Sequence, residues 1–299
     1  MPTFTTLEPI ALTVRFASGS LIIDGSQRDT TTVDVRPGNP SSSADVEHAA
    51  ATVVEQRGDQ IVVIAPDSGG WFARTPKLDI QVFVPRGSMA TIDAKSASLE
   101  LTGDLGGTVV TSASGDVRAA HVVELSARTA SGDVWCHRVD GNAKVTTASG
   151  DIWIEAIGGR AELGSASGDV TASRVGGDVE VRTASGDVSL GTVDGSMSAR
   201  TASGDVGVAS VWRGNIAVES ASGDVSIGIA EGTTAWLDVQ SLTGDVSSTL
   251  DAADAPDGDT GTVSVRAHTR TGDVVIRRAP PRSQPEADHT TTDSWEGTS

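Results

Sequence analysis

A single cysteine, no tyrosine and a 3% share of aromatic residues define what this 299-residue chain goes without. One cysteine, Cys136, excludes an internal disulfide framework. So few aromatics leave an ordinary globular core short of bulky side chains, and favour a narrow core lined by Val, Ile, Leu and Ala. Basic residues are scarce as well: 22 Lys and Arg stand against 40 Asp and Glu, for a net charge of −18. That balance excludes a surface that neutralises nucleic-acid phosphates and disfavours adsorption to anionic lipid. No apolar run approaches the roughly 18 residues of a membrane span. Met1-Pro2-Thr3-Phe4 opens no basic flank followed by an apolar stretch, so a cytoplasmic location is expected unless export follows a non-classical route.

What is present is a repeat. The phrase [Ser/Thr]-Ala-Ser-Gly-Asp-[Val/Ile] is written seven times between Ser112 and Val225, with its Gly-Asp pairs at 115/116, 132/133, 150/151, 168/169, 186/187, 204/205 and 223/224. The glycines are 18 residues apart, with steps of 17 and 19 at the two ends. A period near 18 matches one coil of a solenoid and is about half that of a helical-hairpin repeat. A worn copy, Ser96-Ala97-Ser98-Leu99, precedes the run, and Leu242-Thr243-Gly244-Asp245-Val246 and Arg270-Thr271-Gly272-Asp273-Val274 follow it.

Each repeat holds two short stretches of period two, which means strands. The first stacks Val134/Cys136, Ile152/Ile154, Val170/Ala172, Val188/Leu190, Val206/Val208 and Val225/Ile227 as inward pairs. The second stacks Ala143/Val145, Ala161/Leu163, Val179/Val181, Met197/Ala199 and Ile216/Val218. Strands this short have no core of their own, so these columns are buried only if coils stack. The same register places Cys136 inside, as an inert thiol. The reading is an all-β solenoid of about 18-residue rungs.

Outside the regular rungs, which are taken as residues 96–278, residues 1–95 read as an irregular β-rich cap. Strands are expected at Ile10–Phe16, Thr32–Val35, Ile61–Ala65 and Leu78–Pro85, with a turn carrying Gly69-Gly70-Trp71. One helix is expected near 42–57, capped by Ser43 or Asp45 and presenting Val46, Ala50, Val53 and Val54 on one face. After the rungs come a strand containing Trp236, an acidic loop over 251–261, and strands at Thr262–His268 and Val274–Ile276. Residues 279–299, rich in Pro, Ser, Thr and acid, are expected to be a disordered acidic tail.

Stacking would turn Asp116, Asp133, Asp151, Asp169, Asp187, Asp205 and Asp224 into a ladder with steps of about 4.8 Å. Hydrogen bonding to turn N–H groups, or solvent, would offset their repulsion; weak Ca²⁺ binding is the alternative. Trp135 and Trp153 occupy the same outward position on consecutive rungs and are the candidate ligand-binding pair, for a sugar ring or a partner's apolar residue. Arg182 and Arg200 share another outward column beside Glu180 and Glu219.

The Ser-Gly-Asp-Val rungs, the Met-Pro-Thr-Phe opening and the closing run from Glu231-Gly232-Thr233-Thr234-Ala235-Trp236-Leu237-Asp238-Val239 to Leu250-Asp251-Ala252-Ala253-Asp254 resemble the bacterial putative-adhesin family of β-strand-repeat proteins. The resemblance extends to about residue 278 and implies a right-handed β-helix, with no catalytic residue to carry over. No Ser-His-Asp or phosphate-loop motif is present, and none of the five histidines neighbours another at metal-ligand spacing. The expectation is a non-catalytic binding scaffold without cofactor or metal, acting on a protein or glycan partner. A Ca²⁺-binding acidic repeat is the alternative, and a carbohydrate-active β-helix enzyme a more distant one.

Overall fold

The structure, a computed structural model, describes residues 1–67, 75–250 and 261–279. The Gly69-Gly70-Trp71 turn, the acidic loop up to residue 260 and the tail from residue 280 lie outside the described residues. The first part of the chain forms β1 (Thr3–Thr5), β2 (Ala11–Ser26), β3 (Thr30–Pro37), helix α1 (Ser43–Ala50), β4 (Val53–Arg57), β5 (Gln60–Ile64) and β6 (Leu78–Pro85). Two long strands follow, β7 (Met89–Ser114) and β8 (Val117–Ser131). The regular coils are pairs: β9 (Val134–Val139) with β10 (Ala143–Thr147), β11 (Ile152–Ile157) with β12 (Ala161–Ser167), and β13 (Val170–Val175) with β14 (Val179–Ser185). Three more are β15 (Val188–Val193) with β16 (Met197–Ser203), β17 (Val206–Val211) with β18 (Gly214–Ser222), and β19 (Val225–Ile229) with β20 (Thr234–Thr243). The chain ends in β21 (Val246–Ser248), β22 (Thr262–Thr271) and β23 (Val274–Arg278).

This is a β-solenoid of parallel strands in the expected register. Val134, Ile152, Val170, Val188, Val206 and Val225 pair in succession, as do Ala143, Ala161, Val179, Met197 and Ile216. All of these side chains are buried, and so is Cys136. A third inward column, Val139, Ile157, Val175, Val193, Val211 and Ile229, closes the tube between the two strands of each coil. Because each coil offers only a handful of aliphatic groups, the core is continuous along the axis and no coil is stable alone.

The corners explain the glycines. Gly204 has φ +132°, and a Cβ there would lie 2.2 Å from the carbonyl oxygen of Gly186 in the coil before it. Any larger residue would push the coils apart at this point.

At both ends the coils are stacked out of chain order. β2 pairs on one side with β5 and β6 and on the other with β7, so the first long strand is an inner coil and Gln60–Ile64 with Leu78–Pro85 form the outer one. At the opposite end β22 lies between β18 and β20, and β23 between β19 and β21. Residues 262–278 are therefore tucked beneath residues 234–248, whereas the alternation alone gave no reason to depart from chain order.

The helix is shorter than expected. It stops at Ala50, and residues 53–57, read as its continuation, form β4, antiparallel to β5 across a turn at Gly58 with φ +65°. The β-branched pair Val53-Val54 gains ladder bonds there that a helix would not give it. Ser42, rather than Ser43 or Asp45, is the N-cap, its Oγ accepting the Asp45 N–H at 3.3 Å. The buried residues of α1 are Asp45 and His48, while Val46 and Ala50 face solvent. β3 and β4 run antiparallel along β6 and β5 and cover the edge of the outermost coil. Ala279, read as the start of the tail, is instead buried and donates its N–H to Ile229 O at 2.9 Å.

Candidate functional site

The aspartate ladder is built from backbone. Each Asp N–H donates to Oδ1 of the Asp one coil earlier: Asp133 to Asp116 at 3.3 Å, Asp151 to Asp133 at 2.9 Å, and Asp169, Asp187, Asp205 and Asp224 to their predecessors at 2.8 Å. The ladder continues through Asp273 and then Asp245, in the spatial rather than the chain order. A second bond closes each corner, as where the Val188 N–H donates to Asp205 O at 2.8 Å. A charge-assisted hydrogen bond from each N–H offsets part of the repulsion between the stacked carboxylates. No group of three or more His, Cys, Asp or Glu arranged to hold a metal occurs among the described residues.

A second ladder at the other corner was not anticipated. Asn142 Oδ1 accepts the Arg160 N–H at 2.9 Å, Asp178 Oδ1 the Ser196 N–H at 2.8 Å, and Ser196 Oγ the Asn215 N–H at 3.2 Å. The residue types vary, and Arg160, which has no acceptor to offer, interrupts the series between Asn142 and Asp178, which hides the column from a search for identical residues.

Trp135 and Trp153 are register partners on β9 and β11, and their rings stack with centroids 5.1 Å apart and planes 4° apart. Trp135 is 39% exposed. His137 stacks beside Trp135 at 6.4 Å and 19°, and its Nδ1 lies 2.6 Å from Glu155 Oε2. Sequence reading passed over His137 because it lacked a second histidine nearby, although its alternation with Trp135 placed both on one face. Beyond Trp153 the same outward column continues with Thr171, Ser189, Gly207 and Ser226. These small residues floor an open trough of about 310 Å³ that also includes Ser173, Gly191 and Arg277.

The face formed by the second strands is different in chemistry. Lys144 Nζ meets Glu162 Oε2 at 2.8 Å, Arg182 pairs with Glu180, and Arg200 Nε meets Glu219 Oε2 at 3.0 Å. The Lys144 hydrogen bond is the main reason the Glu162 carboxyl sits below its ordinary range. Gly164, lying between Thr146 and Arg182, leaves a trough of about 500 Å³ among these charges. Each cation there already has a carboxylate partner, so the trough has little net charge to attract an ion.

A third cluster sits at a corner. His121 Nδ1 lies 2.5 Å from Asp104 Oδ1 and Nε2 2.8 Å from Asp140 Oδ2, while Arg86 and Arg138 flank the two carboxylates at 2.7 and 2.6 Å. The hydrogen bond to Asp104 raises the His121 pKa above its usual 6.5, against the opposing effect of burial. Asp104 and Asp140 are 36 positions apart, and no local motif joins them.

Among the described residues, no helix is long and apolar enough to cross a membrane. No curated protein matches the chain. Two solved structures align over most of it. One, described as a putative cell adhesion protein from Clostridium sporogenes, is 9% identical, with 93% of this chain and 98% of that one covered and a TM-score of 0.23. The other, described as a putative adhesin from Bacteroides fragilis, is 12% identical, with 92% and 95% covered and a TM-score of 0.34. The family model for Toastrack DUF4097 matches residues 11–177 and 175–277, which takes in every coil described above, and the chain belongs to that family.

Proposed function

We propose that this protein is a non-catalytic binding scaffold whose first-strand face holds a glycan, with Trp153 as the stacking surface. The observation that carries this reading is the position of Trp153 between Trp135 on one side and Thr171 on the other. The aromatic stack ends there, and the next residue of the column, Thr171, opens the trough that Ser173 and Ser189 also line, so a flat ring laid on Trp153 would have hydroxyl partners beside it. A pyranose has the required two chemistries, an apolar C–H face for the indole and a rim of hydroxyls for Ser and Thr. The rigid backing matters too: both indoles stand on central strands of a hydrogen-bonded sheet, so little ordering entropy is lost on binding. The regular coils have short, polar turns and no walls, which suits a docking surface better than a reaction cleft.

A glycan array read with the labelled protein, followed by titration of the hits against tryptophan fluorescence, tests this. Binding should fall about 5- to 150-fold in Trp153→Ala, which removes a contact of the kind worth about 1–3 kcal/mol, and less in Trp135→Ala. Retention of full affinity by Trp153→Ala would remove the reading, and binding of an aromatic peptide with no glycan hit would replace it with a protein partner.

A further inference from the structure

The two ends of the solenoid are finished differently. At the β5/β6 end, β3 and β4 cover the outer edge with short antiparallel strands that carry Asp34, Arg36, Glu55 and Arg57. At the other end, among the described residues, β20 pairs with β22 alone and its second edge carries no strand. Leu237, Val239 and Val246 occupy the inward columns directly above the buried Val265, Ala267 and Val274, yet Leu237 is 41% and Val246 50% exposed. On the outward side, Trp236 is 70% and Leu242 80% exposed. An apolar, unpaired edge of this kind is a template for another strand.

We propose that the free edge of β20 pairs with β20 of a second copy of this chain, antiparallel, about a twofold axis at Val239. The argument begins with hydrogen-bond direction. Thr234 gives its N–H to Gly261 O on the β22 side, at 3.0 Å. Strand alternation then turns the N–H and C=O groups of residues 235, 237, 239 and 241 to the free edge. An axis at Val239 places Val239 opposite its own copy as a hydrogen-bonded pair, with 237 opposite 241 on either side.

The side chains select the same axis. On the outward face it sets Trp236 against the partner's Leu242 and Asp238 against the partner's Gln240, each twice by symmetry. Apolar thus meets apolar, and the carboxylate meets an amide. Moving the axis to Asp238 would oppose two like charges, and moving it to Gln240 would set Asp238 against Leu242. An axis between residues would bring inward side chains against outward ones. On the inward side the axis at Val239 brings the open ends of the two cores together. The contact is isologous and uses the β20 edge of both copies, so pairing closes at two copies instead of growing into a filament.

Sedimentation equilibrium of the full chain tests the proposal, at about 0.15 M salt so that the net negative charge is screened beyond about 8 Å. The wild-type chain should sediment as a monomer–dimer equilibrium. Gln240→Lys should tighten it and Gln240→Asp weaken it, each on the order of 2- to 30-fold, because each change is felt at two symmetric pairs with Asp238. Both substitutions are at an exposed position, and unchanged melting temperatures would separate the effect from misfolding. A dimer indifferent to both charges would place the contact elsewhere and overturn the proposal. So would a monomer at all concentrations that dimerises only when residues 251–259 are replaced by a Gly-Ser linker, since that segment would then occupy the edge. Larger open assemblies would overturn it as well.

Discussion

The backbone N–H of Asp187 donates to Oδ1 of Asp169 across 2.8 Å, from one coil to the next. The carboxylate therefore acts as a coil-to-coil clasp, and its chemistry can be tested apart from its charge. Asp169→Asn keeps an acceptor oxygen and should cost less than about 1 kcal/mol, whereas Asp169→Ala removes it and should cost about 1–2 kcal/mol. Chemical denaturation of the two variants checks the order. Millimolar Ca²⁺ should leave the wild-type Tm where matched Na⁺ leaves it, because a ligand that does not bind the folded state does not shift it.

Leu190 is 3% exposed, while Ser189 beside it faces solvent. Leu190→Asp should destabilise the protein by several kcal/mol, since an unpaired carboxylate would enter a tube of aliphatic side chains. Ser189→Asp should change stability by about 0.5 kcal/mol or less. Equal losses in urea denaturation would mean that the inward and outward assignments do not hold.

His121 bridges Asp104 and Asp140. Its folded-state pKa is raised above 6.5, mainly by the Asp104 hydrogen bond, so the bridge contributes fully below about pH 6.5 and is lost as pH rises through the folded value. Asp140 is shifted down, first by Arg138 and then by His121, so its share is lost instead as the pH falls through its folded value. The Tm difference between wild type and His121→Gln should be larger at pH 6 than at pH 9. A constant difference would show that the bridge does not depend on protonation.

Burial pushes the Cys136 thiol up to about 12. At pH 8 it should not react with a disulfide reagent in the folded protein, and should react stoichiometrically once the chain is unfolded in guanidinium. Labelling of the native protein on the timescale of a free thiol would place Cys136 outside the core.

The regular coils were legible because every signal in them is local. Val188 and Leu190 alternate with Ser189, a Gly-Asp pair marks the corner, and the next copy says the same. The end coils were not legible for the opposite reason. Strand β2 alternates equally well whether its neighbour is Ile61 or Ala90, and nothing near Leu12 in the sequence reveals that it lies between both. At the helix, Ala49-Ala50-Ala51 gave a real propensity, but pairing of Val53–Arg57 with Gln60–Ile64 overrode its extension. The tryptophan pair was found from spacing alone, whereas the His121 bridge needed the three-dimensional corner to bring Asp104 and Asp140 to it.

The inner placement of β2 and β22 has a consequence for how the chain is made. During synthesis β2 is the first long strand to emerge, yet neither of its edges can be satisfied until Gln60–Ile64 and then Met89–Gly103 have left the ribosome. Near the other end β20 is made one coil after β18 but must leave a gap one strand wide, because β22 takes that place later. A solenoid is usually able to grow coil by coil from its first turn. Here the first long strand waits for its neighbours, and one of the last must be slotted between strands already made. The slowest step of folding should accordingly belong to the two ends, with the repetitive middle forming ahead of both.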